Sequence, residues 1–286
     1  MTERQPAVPP GLYDEDLLRG FAGGEYEAFI AGGGRTIRPR VARALALAAL
    51  QRGMTVVDIG CGRGEASAQA ARSGARVIAL DYSLDALRMT ARSASVAAAP
   101  GAGGVHRAAS AAEALPIATH SAERVLLLDV VEHLHPWQLA EALREIRRIL
   151  RADGYVVIHT LPNRWALAVA YPLLRCFSPL LPREPRSGYE RLVHVNEQSP
   201  RSLGRALRAA GLSARVWVEE WTTEHAARAT DRSYPDPLRT RGYPVLRQRL
   251  VRALAGTAMR TPARAVVGND IFALAWWGDR PPLPGH

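Results

Sequence analysis

Lysine is missing altogether: all 37 basic residues of this 286-residue chain are arginine, which excludes any site centred on a lysine. Cysteine is nearly missing. Cys61 and Cys176 cannot build a disulfide framework, and they fit a reducing cytoplasm. The first ten residues, M-T-E-R-Q-P-A-V-P-P, lack the apolar run of a signal peptide, so a cytoplasmic protein is expected. No long apolar segment is present either. The best, Trp165–Leu181, is broken by Pro172, Arg175 and Pro179. It falls short of the roughly 20 residues that a membrane-spanning helix needs. The expectation is a soluble chain with a sticky patch at that segment.

Hydrophobic residues make up 48%, enough for a real core and against global disorder. The formal net charge is +10, and 16 Arg against 8 Asp+Glu between Arg183 and Arg264 place +8 of it there. Such a surface attracts an anionic substrate, nucleic acid or anionic lipid, or is simply a solvated face of Arg-rich helices.

From Met54 onward strands and helices alternate. The pattern predicts strands at 54–59, 76–80, 105–108, 124–128 and 155–159, and helices at 65–72, 84–98 and 137–150. Strands spaced by helices of this length imply βαβ units, a parallel sheet, and a ligand at the C-terminal edge of the strands. Before this core, residues 1–50 read as a frayed Pro-rich start (1–11) followed by helical segments, the clearest at Pro39–Leu50. After Pro162 the periodicity is lost over 163–198. It returns in a helix at 199–210, capped by Ser199 and Pro200, and in strands at 214–220 and 271–276. The chain is thus divided into a 1–50 helical segment, a 51–163 core, a 164–198 roof insertion, a 199–221 core continuation, a 222–269 basic insertion with a helix near Val245–Leu254, and a 270–286 strand and tail. The expected fold is α/β: a Rossmann-like, doubly wound, seven-stranded, mostly parallel sheet with a helical cap.

Asp58-Ile59-Gly60-Cys61-Gly62-Arg63-Gly64 joins the first strand to the first core helix. A pyrophosphate-binding G-x-G-x-x-G would need its third glycine at 65, where Glu65 would repel the anion instead. The spacing disfavours NAD and FAD. Asp81 ends the second strand, where a carboxylate can accept hydrogen bonds from both hydroxyls of a ribose; the plain alternative is a turn or helix-cap aspartate.

D-I-G-C-G-R-G, A-L-D-Y-S, A-E-A-L-P-I, L-D-V-V-E-H-L and R-I-L-R-A-D-G-Y, in that order, resemble the successive motifs of class I S-adenosylmethionine (SAM)-dependent methyltransferases. The branch resembled is the ubiquinone/menaquinone-biosynthesis-like group that acts on small molecules. The resemblance runs from Gly53 to Asn163 and resumes at H-V-N-E-Q-S-P. It implies SAM as cofactor and S-adenosylhomocysteine as product. The implied donor site comprises Asp58, Gly60, Cys61, Gly62 and Gly64 under the methionine part, Asp81 on the ribose, Tyr82 against the adenine, and Asp129 and Val130 after strand four. The group's usual acidic adenine contact is replaced by Ser110-Ala111-Ala112, so the adenine contact falls to backbone and Ser110.

Methyl transfer from a sulfonium is an in-line displacement that rewards alignment, and a hydroxyl or carbon acid also needs a base. His133 and Glu132, directly after strand four, and His194, before the late helix, are the catalytic candidates. Glu132 can instead hold its loop or orient His133. Together the three could bind a metal, but the sequence requires none and none is expected. The Asn/Asp-Pro-Pro-aromatic signature of nucleic-acid amino methylation is replaced by Leu128-Asp129-Val130-Val131-Glu132, and the lysine of ribose methylation is missing, so nucleic acid is not the expected partner.

The expected function is methylation, by group frequency O-methylation, of a small hydrophobic and anionic metabolite. The alternatives are C- or N-transfer to a lipid, quinone or natural product, and a SAM-binding scaffold or sensor without turnover. Trp165, Leu173, Leu174, Phe177 and Leu180, with the roof arginines, suit the amphipathic acceptor. Peripheral contact with an anionic membrane through Trp165–Leu181 and the basic helix is a further expectation.

Overall fold

The computed structural model describes residues 4–20, 25–177, 183–184, 186, 188–219, 253 and 256–278. Within these a single seven-stranded sheet carries the fold. The strands are β1 (Thr55–Ile59), β2 (Arg76–Asp81), β3 (Val105–Ala109), β4 (Ala122–Leu128), β5 (Leu150–Thr160), β6 (Ser213–Glu219) and β7 (Asp270–Trp276). Their order is β3-β2-β1-β4-β5-β7-β6. The first five are parallel, and β7 runs antiparallel to both β5 and β6. β1 and β4 lie at the centre, and their C-terminal ends open the crevice where chain order reverses.

The helices preceding and within the core are α1 (Glu15–Gly20), α2 (Glu25–Ala31), α3 (Pro39–Ala48), α4 (Glu65–Arg72), α5 (Leu84–Val96) and α6 (Pro136–Ile149). After β5 come a π-helical turn (Ala166–Ala170), α7 (Tyr171–Phe177), α8 (Gly188–Val193), α9 (Pro200–Ala209) and α10 (Arg264–Val267). Local chemistry explains several boundaries. Ser83 caps α5 by accepting from the Ala86 N–H. Ser199 and Ser202 cap α9 reciprocally, and Pro200 sits at its first position. α6 buries Leu139, Ala142, Leu143 and Ile146 on one face of the sheet together with α9's Leu203 and Leu207. On the other face α3 and α4 pack Val41, Ala44, Ala66 and Ala70 against Val56, Tyr155 and Phe272.

The sequence-based strands recur within a residue or two, except that β5 begins at Leu150 rather than Tyr155. Two expectations change. Residues 4–11 are not frayed: Val8 is buried, and the Trp137 indole N–H donates to the Gln5 carbonyl at 3.1 Å. The aperiodic stretch after Pro162 is largely helical. The basic helix near Val245–Leu254 lies, but for Ala253, outside the described residues.

Gly64 sets how closely α4 approaches α5. Its φ is +77°, and a Cβ there would stand 2.5 Å from the Thr90 Cα. The left-handed φ costs an L-residue about 1–2 kcal/mol and the overlap about as much again. Gly64→Ala is therefore expected to lower the unfolding free energy by roughly 3 kcal/mol, measured by urea denaturation.

Candidate functional site

The loop after β1 crosses the sheet edge between α5 and the end of β4. At Gly62 (φ +51°) a Cβ would meet nothing within 4 Å, so this glycine faces open space and a ligand can lie against its backbone. The Gly62 N–H donates to Asp81 Oδ2 and the Ser83 N–H to Asp81 Oδ1, both at 2.9 Å. Burial pushes the Asp81 carboxyl up in pKa, while these N–H groups pull it back. The aspartate is thus a turn residue first. Each oxygen still has a second acceptor position, enough for the two hydroxyls of a diol.

Other expected donor residues work from beneath the loop. Asp58 is 2% exposed and accepts from the Ser67 hydroxyl at 2.5 Å; burial raises it to about 6. The buried Cys61 thiol, raised further by burial, receives the Thr90 hydroxyl at 3.2 Å. Val130 packs on Gly60, where a Cβ would come within 2.4 Å of Val130 Cγ2. These side chains brace the loop rather than line the opening. Ser110 spends its hydroxyl on its own turn, donating to the Ala114 carbonyl at 2.8 Å, and Glu113 accepts from Gln138 at 3.0 Å. At this edge there remain the half-buried backbone of Ala111 and Ala112 and the Tyr82 phenol, which burial pushes up to about 12. The expected Ser110 hydroxyl contact to an adenine is not in place.

Past β4 the chain turns through Asp129 in a left-handed conformation, φ +57°. Its carboxylate meets Arg38 at 3.4 Å and Arg40 at 3.1 Å, and it accepts from His159 Nδ1. The other His159 nitrogen donates to Asp270 at 2.9 Å. An imidazole bonded to carboxylates through both nitrogens is an imidazolium. Burial alone would lower the His159 pKa, but Asp129 and Asp270 raise it to about 9. Burial likewise opposes ionisation of Asp129, yet Arg40 and His159 hold it well below the usual carboxylate range. Arg38 Nε is buried with no hydrogen-bond partner among the described residues. The two guanidiniums stand beside the Gly-rich loop, where Arg38 also meets Glu65 at 3.5 Å, and their planar donors match the geometry of a carboxylate. Sequence reasoning missed both. The only signal was Arg-Pro-Arg opening α3, which says nothing of which way the side chains turn.

Glu132, His133 and His194 do come together. Each offers a ligand atom within 4.8 Å of the others. Glu132 accepts from the Thr160 hydroxyl at 2.6 Å, and its backbone carbonyl takes the Asn196 N–H at 3.1 Å, so it also ties down the loop. Burial, then the charge of Asp129, raises it to about 8. His133 is lowered to about 3 by burial and by His194, which burial also lowers. Both imidazoles are therefore neutral. The Val193 carbonyl lies 3.2 Å from His133 Nδ1; a carbonyl only accepts, so Nδ1 carries the proton and Nε2 a lone pair. Two neutral imidazoles and a carboxyl at this spacing could hold a divalent cation, which the sequence did not require.

His159 gives a signed pH dependence. Its folded pKa lies above the unfolded value, so its contribution is complete below about pH 6.5 and is lost as pH rises through about 9. Glu132, raised to about 8, adds a loss that ends near pH 8. The melting temperature should therefore fall from pH 6.5 to 9, and His159→Gln should flatten the part above pH 8, as followed by scanning calorimetry.

A family model described as a methyltransferase domain matches residues 57–158. The ubiquinone biosynthesis O-methyltransferase of Parvibaculum lavamentivorans is 31% identical over 184 residues, 62% of this chain and 68% of that protein. The Rhizobium rhizogenes enzyme of the same name is 33% identical over 147 residues, 51% of this chain and 56% of its own length. Among solved structures, a geranyl diphosphate methyltransferase in complex with GPP and sinefungin superposes with a TM-score of 0.55 at 19% identity, covering 82% of this chain and 75% of that one. A SAM-dependent methyltransferase from Methanosarcina mazei gives 0.53 at 16% identity, covering 84% and 98%. These two likenesses carry the fold. With the relatives' identity and the ordered motifs on one sheet edge, they make this chain a class I SAM-dependent methyltransferase, a member of the family that includes the ubiquinone biosynthesis O-methyltransferases.

Proposed function

We propose that this enzyme moves the SAM methyl group to an oxygen of a small amphipathic acceptor, such as a catechol or phenol bearing an apolar chain and an anionic group. The observation behind O-transfer is the convergence of Glu132, His133 and His194 within 4.8 Å, next to the donor loop. An acceptor hydroxyl must lose its proton as it attacks. His133, held near 3, is a poor proton acceptor on its own; Glu132, near 8, is far better matched to a phenol. In this reading the ionised form of Glu132, whose share grows as pH rises through about 8, takes the proton, and His133 and His194 orient the hydroxyl. A divalent cation on the same three side chains would ionise a bound hydroxyl by lowering its pKa.

For the donor, Gly62 lies against the methionine part, Arg38 and Arg40 receive its carboxylate, Asp81 the ribose hydroxyls, and Tyr82 with the Ala111–Ala112 backbone the adenine. Asp58, Cys61 and Val130 support this set from below, and Asp129 orients the two arginines. The acceptor's apolar part is assigned to the roof, where Val169, Leu173 and Leu192 are 46%, 57% and 65% exposed. The nearby arginines suit its anionic part. Phe177 and Leu180 of the expected roof lie outside the described side chains. The compartment assigned is the cytoplasm. Among the described residues no helix is long and apolar enough to cross a membrane. The exposed roof leucines suit shallow contact with an anionic bilayer, which salt-sensitive pelleting with phosphatidylglycerol vesicles would show.

Calorimetry with S-adenosylhomocysteine is expected to show binding, weakened about tenfold or more by Asp81→Ala. Turnover of SAM with a panel of chain-bearing catechols, with NMR of the product, should place the methyl on oxygen. Glu132→Gln should abolish that turnover while leaving S-adenosylhomocysteine affinity within about threefold. Methyl found on carbon or nitrogen would overturn the O-transfer reading. Loss of turnover in EDTA, restored by a divalent cation, would move the three side chains from base to metal ligands.

A further inference from the structure

Residues 4–13 cross the open edge of the sheet as a strap fastened at both ends. At one end Arg4 lies 5.1 Å over the Trp137 ring of α6, and Gln5 accepts from the Trp137 indole. Val8 is buried in between. At the other end the Tyr13 carbonyl accepts from the hydroxyl of Ser83, the α5 cap, at 2.8 Å. α6 follows β4 and α5 follows β2, so the strap spans the C-terminal end of β1, where the Gly-rich loop stands.

Tyr13 is the strap's inward-facing residue. Its ring centre is 5.7 Å from Tyr82 and 5.6 Å from His133, edge-on to the latter. Its hydroxyl is 2.9 Å from His133 Nδ1. It also hydrogen-bonds Tyr82, opposing the rise that burial imposes on the Tyr82 phenol. Because Nδ1 carries the proton, the Tyr13 oxygen shares that N–H with the Val193 carbonyl. This holds the ring plane and turns the Nε2 lone pair away from the strap.

We propose that Tyr13 is a positioning residue of the methyl-transfer site and that residues 4–13 are the cover of the bound donor. This rests on the SAM reading above. In it Tyr13 forms the wall between the adenosine, on the Tyr82 side, and the acceptor, on the His133 side. The cover keeps water from the sulfonium, and the Tyr82–Tyr13–His133 chain links donor occupancy to the orientation of the acceptor-facing imidazole.

The test needs no acceptor, only the full chain and S-adenosylhomocysteine. Amide exchange in residues 5–13 should slow at least tenfold when the ligand binds. Tyr13→Ala should bind it about tenfold more weakly, whereas Tyr13→Phe, which keeps the ring, should stay within threefold of wild type. In 15N-histidine spectra, binding of S-adenosylhomocysteine should shift the His133 ring nitrogens in wild type, and Tyr13→Phe should remove that ligand-induced shift; a merely structural contact to the strap would leave it in place. Wild type that binds the ligand with unchanged strap exchange, or a folded Tyr13→Ala with wild-type affinity, overturns this inference and leaves the SAM reading standing. A wild type that does not bind S-adenosylhomocysteine overturns both.

Discussion

The charge on Asp129 organises the whole active edge. It sits where β4 ends, in a left-handed turn, and draws Arg38 and Arg40 from the start of α3 and His159 from the end of β5. His159 passes the interaction on to Asp270 at the start of β7. Four segments far apart in sequence are therefore tied to one carboxylate. A buried charge survives only when paired, and here each group pays for its neighbour's desolvation. Removing Asp129 would leave an imidazolium and two guanidiniums with too little counter-charge.

The same charge shapes the chemistry beside it. Burial first, and then the charge of Asp129, holds Glu132 mostly protonated below about pH 8. The neighbouring imidazoles, packed against each other at 4.9 Å between ring centres, stay neutral. Ionised groups thus gather around Asp129, and neutral, lone-pair-bearing groups around His133 and His194, the donor and acceptor sides of the proposed reaction. That division suits a reaction in which a cationic sulfonium loses its methyl to an oxygen that sheds a proton. The loop glycines divide their labour similarly: Gly60 and Gly64 admit protein atoms, and Gly62 alone leaves room for something else.

Much of this was legible in the residues. Alternation of apolar runs and helix-period segments predicts the sheet because both patterns are local. D-I-G-C-G-R-G predicts a ligand loop because a strand, a tight turn and a helix follow one another within a dozen residues. E-H-L directly after β4 points to the acceptor side because the end of a central parallel strand opens onto the crevice. His194 was legible only as a candidate, since its closeness to His133 depends on the path of residues 161–193, where periodicity fails.

What the sequence determined by itself is the order of elements, the strand C-terminal edge as the working edge, and the kind of donor loop it carries. Tertiary structure alone decided which side chains face the opening. Asp58, Cys61 and Val130 turn inward, because the loop they occupy must itself be packed. Ser110 spends its hydroxyl on its own turn. Arg38, Arg40 and Tyr13, which no motif marks, arrive from the N-terminal segment because that segment folds back across the edge. A linear pattern records which faces are apolar, since burial repeats with the period of the backbone. It does not record the meeting of residues a hundred positions apart, such as Tyr13 and His133, since that follows from how whole elements pack.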